Sequence, residues 1–210
     1  MYTPGAFRED RAEVLLETIA RHPLATLVTA GAAGIQASLI PMVHAHGATG
    51  GVLQGHVARA NPHWREAQAG SEGLAIFTGP QHYVSPAWYP SKRAHGKVVP
   101  TWNYITVHVR GKLTFHQDAE WLWNMVEALT EAQEARLGTG WRVTDAPRDY
   151  IDVQLAAIVG VELAIESLEG KWKLSQNRTT EDREGVMAAL EALGTESARD
   201  MAAAMRIGRS

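Results

Sequence analysis

The sequence predicts a mainly β protein, an antiparallel barrel with flanking helices, and three observations carry that expectation. Five or more short segments place apolar residues at period two and lie close together along the chain. Single helical stretches punctuate them, and no strand–helix–strand repetition of the parallel kind is visible. A chain of 210 residues with 45% hydrophobic content is long enough for one generous core.

Arg8 to Arg21 reads as an amphipathic helix, with Leu15 and Ile19 on one stripe and Pro23 as its stop. Leu24 to Ala30 is rich in small and β-branched residues; Gly31 and Gly34 make a turn, and Ile35 to Val43 returns as the partner strand. Pro41 inside that run marks an edge or a bulge. A glycine-rich turn from Gly47 to Gly51 leads into a strand from Val52 to Val57. Asn61-Pro62 is the cap-and-proline grammar of a helix that Gly70 ends. Gly73 to Gly79 reads as a short strand, and Ser85 to Tyr104 as a loop with neither helical nor strand period. From Tyr104 to Phe115, alternating Ile105, Val107 and Val109 predict a long strand. Asp118 caps a helix to about Leu137, with Leu122, Val126 and Leu129 as its buried stripe. Asp145 and Pro147 open a short helix, and Ile158 to Leu168 reads as a strand. The end is helical, from Thr179 or Thr180 to Leu193 and, after Gly194, from Thr195 to about Met205. Residues 1–178 are expected to hold the barrel, and 179–210 a helical extension of the same domain.

Composition narrows the functions. A net charge of −3 argues against the broad basic surface that nucleic acid needs. With no cysteine, disulfides and thiolate metal sites are excluded. The charged opening M-Y-T-P-G-A-F-R-E-D lacks the apolar centre of a signal peptide, and no apolar run approaches the roughly 20 residues of a membrane span. A soluble, cytoplasmic protein is expected.

Two segments carry the chemistry. Ser85 to Tyr104 concentrates three prolines, two tryptophans, two tyrosines and three cations. Gly170 to Arg178, read G-K-W-K-L-S-Q-N-R, repeats the mixture of lysine, tryptophan and amides. Proline fixes the backbone, aromatics offer flat area, and cations meet an anion. Such loops suit a flat, anionic ligand. At the junction H-V-A-R-A-N-P, Arg59 and Asn61 are placed for a phosphate, or else form a plain helix cap beside a solvated arginine. In the second island Lys173, Ser175, Gln176 and Asn177 offer a row of polar groups, and Trp172 needs a place to bury. His44 and His46, with His56 and His63 nearby, lack a carboxylate between Ile35 and Arg65, so no metal site is expected. No serine has nucleophile-elbow context, and no catalytic residue is assigned. Trp121, Trp123 and Trp141 read as core or dimer contacts.

The chain resembles the PaiB-like family of FMN-binding negative transcriptional regulators, whose fold is the FMN-binding split barrel. The resemblance rests on M-Y-T-P-G-A-F, P-L-A-T-L-V-T, G-H-V-A-R-A-N-P-H-W, I-F-T-G-P-Q-H-Y-V-S-P-A-W-Y-P-S-K, V-P-T-W-N-Y and E-G-K-W-K-L-S-Q-N-R, and covers nearly the whole chain. It implies a dimeric antiparallel barrel with FMN at the subunit interface. By this resemblance Ser38, His56, Arg59 and Asn61 meet the flavin phosphate, and Trp172 and Lys173, followed by Ser175, Gln176 and Asn177, match the superfamily's late tryptophan-plus-basic motif in the cofactor site. Thr101, Trp102 and Asn103 lie near the isoalloxazine ring or the partner subunit, and Lys173 and Lys97 are placed to tune the ring. An FMN-dependent oxidoreductase acting on a small molecule and a haem-binding split barrel are the alternatives. DNA contact follows from the family label alone, since charges from Arg178 to Arg209 are nearly balanced and no recognition helix stands out.

Overall fold

The computed structural model describes residues 1–31, 34–46, 50–67 and 70–207. In chain order its elements are β1 (Arg8–Glu9), α1 (Ala12–Arg21), β2 (Leu24–Gly31), β3 (Gly34–Ala45), β4 (Val52–Ala58) and α2 (His63–Glu66). Then follow β5 (Glu72–Val84), α3 (Ser91–His95), β6 (Thr101–His116), α4 (Ala119–Leu137), α5 (Arg148–Ala156), β7 (Ile158–Lys173), α6 (Thr180–Leu193) and α7 (Glu196–Ile207). The sheet runs β1-β7-β4-β3-β2-β5-β6, and β6 also pairs with β7, so β2 to β7 form a cycle of neighbours. The chain divides into two compact units, to both of which β5, β6 and β7 contribute.

One unit comprises residues 16–77 and 108–168. Alternation decides its strands. Ala25 and Leu27 on β2 lie across from Ile40 and Ser38 on β3, while Leu53 on β4 faces Leu163 on β7. Leu27, Ile40, Leu53, Phe77, Leu113 and Leu163 are fully buried, the inward set of a period-two pattern. Pro41 stands where β3 changes neighbours: it is the last residue opposite β2, and Met42 is the first opposite β4. A missing N–H is harmless at that handover. Helices α4 and α5 form a second core through Leu122, Met125, Ile151 and Leu155. Met125 is buried there and Leu129 only half-buried, because a turn further along the helix leaves the core. Asp118 caps α4 by accepting from Trp121 N, and Gly138 closes it at φ 69°.

The other unit comprises residues 1–15, 78–107 and 169–210. Arg8 and Glu9 pair with Lys171 and Gly170, so the first helix begins four residues later than its apolar stripe predicts. The Glu9 carboxylate holds both the backbone and the guanidinium of Arg11 at that start. Helices α6 and α7 bury Val186, Leu190, Met201 and Met205 against Val84, Tyr89, Ile105 and Leu174, and Trp172 packs on the edge of this core.

Three strands are at least four residues longer than expected. β5 continues through Gly79 and Pro80 to Val84, β6 begins at Thr101, and β7 reaches Lys173. P-T-W-N-Y is therefore largely strand rather than loop. Trp121 and Trp123 pack against the α4–α5 core, as the first of their two expected roles has it, whereas Trp141 is 44% exposed. The expected Gly31–Gly34 and Gly47–Gly51 turns include residues 32–33 and 47–49, which lie outside the described residues, as does Arg209.

Gly111 on β6 lets two backbones meet: a Cβ there would stand 1.6 Å from the Ala164 carbonyl oxygen. Gly111→Ala is expected to lower unfolding free energy by about 3 kcal/mol or more, whereas Gly5→Ala, with open space around it, changes it by less than about 0.5 kcal/mol. Urea denaturation of the pair tests this, and equal midpoints would refute the close approach.

Candidate functional site

Two polar clusters stand out, one in each unit. In the unit of residues 16–77 and 108–168, Asn61 caps the start of α2 by accepting from His63 N at 3.0 Å. Its amide Nδ2 donates to Ser38 Oγ at 3.1 Å. His63 is buried, with Nδ1 2.8 Å from Ser38 Oγ and Nε2 2.9 Å from Thr29 Oγ1. Burial holds the imidazole below its ordinary pKa, against the opposing pull of the Glu66 carboxylate. A neutral ring has one donor and one acceptor, so the two hydroxyls take opposite roles. Ser38 and Asn61 are thus brought together, with His63 as the organiser. The signal for His63 was its place just after an Asx cap, where a polar side chain can reach back over the preceding strands.

Arg59 and His56 do not join that group. The Arg59 guanidinium donates to Ala156 O at 2.7 Å, Ile158 O at 3.0 Å and Gln117 Oε1 at 2.6 Å, at the end of α5. There it lines a cavity of ≈ 420 Å³ with Gln117, Leu122, Asp152 and Leu155. An arginine committed to carbonyls 97 and 99 residues away gives no local sign of it in sequence. His56 on β4 lies opposite Gly160, and burial lowers its pKa. Among the described residues its Nδ1 has no hydrogen-bond partner.

In the other unit, β6 and β7 present the second cluster. Lys173 Nζ donates to Thr101 Oγ1 at 2.5 Å and to Trp102 O at 2.6 Å. Its pKa is depressed by burial first, then by the cations of Lys171 and Arg178. Asn103 is fully buried; its Oδ1 accepts from Ser175 Oγ at 3.1 Å, and its Nδ2 donates to Met205 Sδ at 3.5 Å. Ser175 has φ 63°, a left-handed backbone rare for a side chain other than glycine. Gln176 fixes the turn by accepting from Leu174 N at 2.7 Å and donating to Trp172 O at 2.5 Å. Thr101, Asn103, Lys173, Ser175, Asn177 and Arg178 line a cavity of ≈ 50 Å³. Arg178 also lies over the Tyr89 ring, 5.0 Å from its centre. The sequence brought most of this group to notice, but not Met205 beneath it, because nothing local marks a thioether as an amide's partner.

The His44 and His46 rings are 6.0 Å apart, and among the described residues no three His, Asp or Glu side chains come together to hold a metal ion.

Residues 1–167 match the model of a family described as "Putative FMN-binding domain". An uncharacterised protein of Emericella nidulans is 33% identical, with 98% of this chain and 96% of that protein covered. One from Aspergillus fumigatus is 36% identical over 93% of each. Protease synthase and sporulation protein PAI 2 of Bacillus subtilis is 29% identical over 98% of this chain and 96% of its own length. Among solved structures, the FAD and haem binding protein of Mycobacterium smegmatis aligns with TM-score 0.55 and 20% identity, covering 79% of this chain and 73% of that one. The flavocytochrome Anf3 of Azotobacter vinelandii gives 0.56 and 12%, covering 85% and 75%. These structural likenesses carry the fold alone, an antiparallel split barrel with flanking helices.

Burial depresses His44, His56 and His63 alike, so near and below pH 6.5 the unfolded chain binds more protons than the folded one. Stability from these neutral rings is present above that pH and is lost on acidification. The unfolding free energy obtained from urea denaturation is expected to fall between pH 7.5 and 5.5, by less than about 1.4 kcal/mol per pH unit for each responding ring. His56→Gln should flatten the slope; an unchanged slope would remove His56 from the account.

Proposed function

This chain belongs to the family of FMN-binding domains whose model spans its residues 1–167, and we propose that it holds FMN at an interface between two copies and serves as a PaiB-type regulator. One observation carries the reading: a cavity lined by two cations, Lys173 and Arg178, with Lys171 nearby and no carboxylate paired to any of them among the described residues. Among the described residues Lys171, Lys173 and Arg178 make no ion pair, and burial and mutual repulsion both disfavour the charged Lys173. A phosphate dianion would offset both effects. The ≈ 50 Å³ cavity suits a phosphate and is too small for a flavin ring. The ring therefore lies outside, past Thr101 and Trp102, and a second copy covers it.

Ser175, Gln176 and Asn177 supply hydroxyl and amide contacts, Asn103 sets the Ser175 hydroxyl, and Trp172 backs the strand end. Arg59 and His56 act as supports of the barrel and not as phosphate ligands, because the guanidinium is already bound to Gln117 and two carbonyls. Once bound, FMN supplies redox chemistry that its surroundings tune.

The partner copy has a surface to meet. Leu24, Ile35 and Leu39 are 55%, 78% and 68% exposed. Their pairing places all three on one face of the β2–β3 hairpin with Val28 and Ala37. A contiguous apolar face of this kind on a folded chain marks an interaction surface. The name of the Bacillus subtilis relative ties that protein to protease synthesis and sporulation, which supports a regulatory rather than a metabolic role here. Direct DNA contact through α6 and α7 is disfavoured by their charge, since Arg183, Arg199 and Arg206 are outnumbered by Glu181, Asp182, Glu184, Glu191, Glu196 and Asp200.

The purified protein, mixed with FMN and desalted, is expected to retain oxidised-flavin bands near ~375 and ~450 nm. Lys173→Gln should weaken FMN binding by about 1.5–3 kcal/mol, while Arg59→Gln leaves it within about twofold. A colourless wild-type protein, or the reverse ranking of the two variants, would overturn the assignment. Leu39→Asp is expected to convert the dimer to monomer in light scattering, as a charge buried in an apolar interface does; a persisting dimer would place the interface elsewhere.

A further inference from the structure

Between Glu72 and Asp118 the chain has no acidic residue, yet it carries Lys92, Arg93 and Lys97 within six positions. All three are exposed, and among the described residues none makes an ion pair. A −3 chain thus gathers three cations, unpaired among the described residues, on one turn. The turn is also built rather than loose. Ser91 N and Ser91 Oγ both donate to the Asp182 carboxylate, at 3.0 and 2.7 Å, and Asp182 is only 3% exposed at the start of α6. Gly96 closes α3 at φ 68°, its N–H on Lys92 O, and Lys97 N donates to His95 Nδ1 at 3.0 Å. Pro90 leads into the helix, so the backbone under the cations is fixed before any ligand arrives. A flat surface belongs to the same unit. Tyr83 is 43% exposed, its ring edge-on to Trp102 at 6.0 Å, and Trp102 is itself pinned by donation to Gln81 Oε1.

We propose that the turn from Ser91 to Thr101 is a second anion site, which binds the diphosphate of a nucleoside-diphosphate group while Tyr83 stacks on its base. A diphosphate spreads its charge over two adjacent groups, which three cations on a short rigid turn match better than a single phosphate does. Aromatic stacking accepts any base, so recognition rests on charge first. Lys97 and Thr101, at the far end of the turn, are shared with the residues given to FMN, whereas Lys92, Arg93 and Tyr83 are not, so substitutions at those three separate this site from the flavin reading.

Calorimetric titrations with ADP, inorganic pyrophosphate and NADPH, on both the FMN-free and the FMN-loaded protein, test it. Wild type is expected to bind ADP and pyrophosphate, more weakly as salt rises. The K92Q/R93Q variant should bind both at least tenfold more weakly while retaining FMN as wild type does. Tyr83→Ala should weaken ADP but leave pyrophosphate unchanged. NADPH binding as tightly as ADP identifies a dinucleotide as the source of the group, and ADP binding alone a free nucleotide; either supports the site. Wild type that ignores ADP and pyrophosphate, or a variant that binds them undiminished, overturns it. So does binding of duplex DNA without binding of ADP, which would reassign the turn to a nucleic-acid backbone. Loss of FMN binding with ADP binding intact would sink the flavin reading and leave this one standing.

Discussion

An ammonium group held where it is least comfortable organises the unit of residues 1–15, 78–107 and 169–210. Lys173 is taken partly out of water and set beside two other cations, yet its Nζ is fixed by the Thr101 hydroxyl and the Trp102 carbonyl. Neutral acceptors stabilise a charge less than a carboxylate does, so the arrangement is tolerable but incomplete. The surrounding residues follow from keeping that geometry. Asn103 is buried to hold Ser175, Gln176 ties the turn shut at both ends, and α7 closes the floor with Met205. An anion completes the balance.

The Ser38–Asn61–His63 cluster follows a different logic. It is electrically neutral and satisfied within itself, because a buried imidazole poised between two hydroxyls needs no external partner. Such a cluster gives direction to hydrogen bonds without creating demand for charge.

Local grammar made much of the fold legible. Asp118 and Gly138 bound α4, Gly194 separates α6 from α7, and period two marked the barrel strands. Strand ends were not legible, because Thr101–Asn103 and Glu169–Lys173 take their conformation from cross-strand partners and carry no period of their own. The same reason divided the site. Residues 171–178 were readable as a group because they are adjacent in sequence, whereas the role of Arg59 depends on carbonyls at the end of α5. His63 was visible as a histidine but not as a buried one, since burial is a property of what lies across the strands.

At Ser175 backbone strain and ligand contact fall on one residue. Its φ of 63° is one that glycine adopts without steric strain, and a serine there carries a backbone cost of order 1 kcal/mol. A chain selected for thermal tolerance alone would drift to glycine at this position, and in doing so would delete the hydroxyl that Asn103 holds. Attempts to harden this protein by consensus or by relief of strain therefore run into the pocket itself, and heat resistance and ligand recognition compete at one residue.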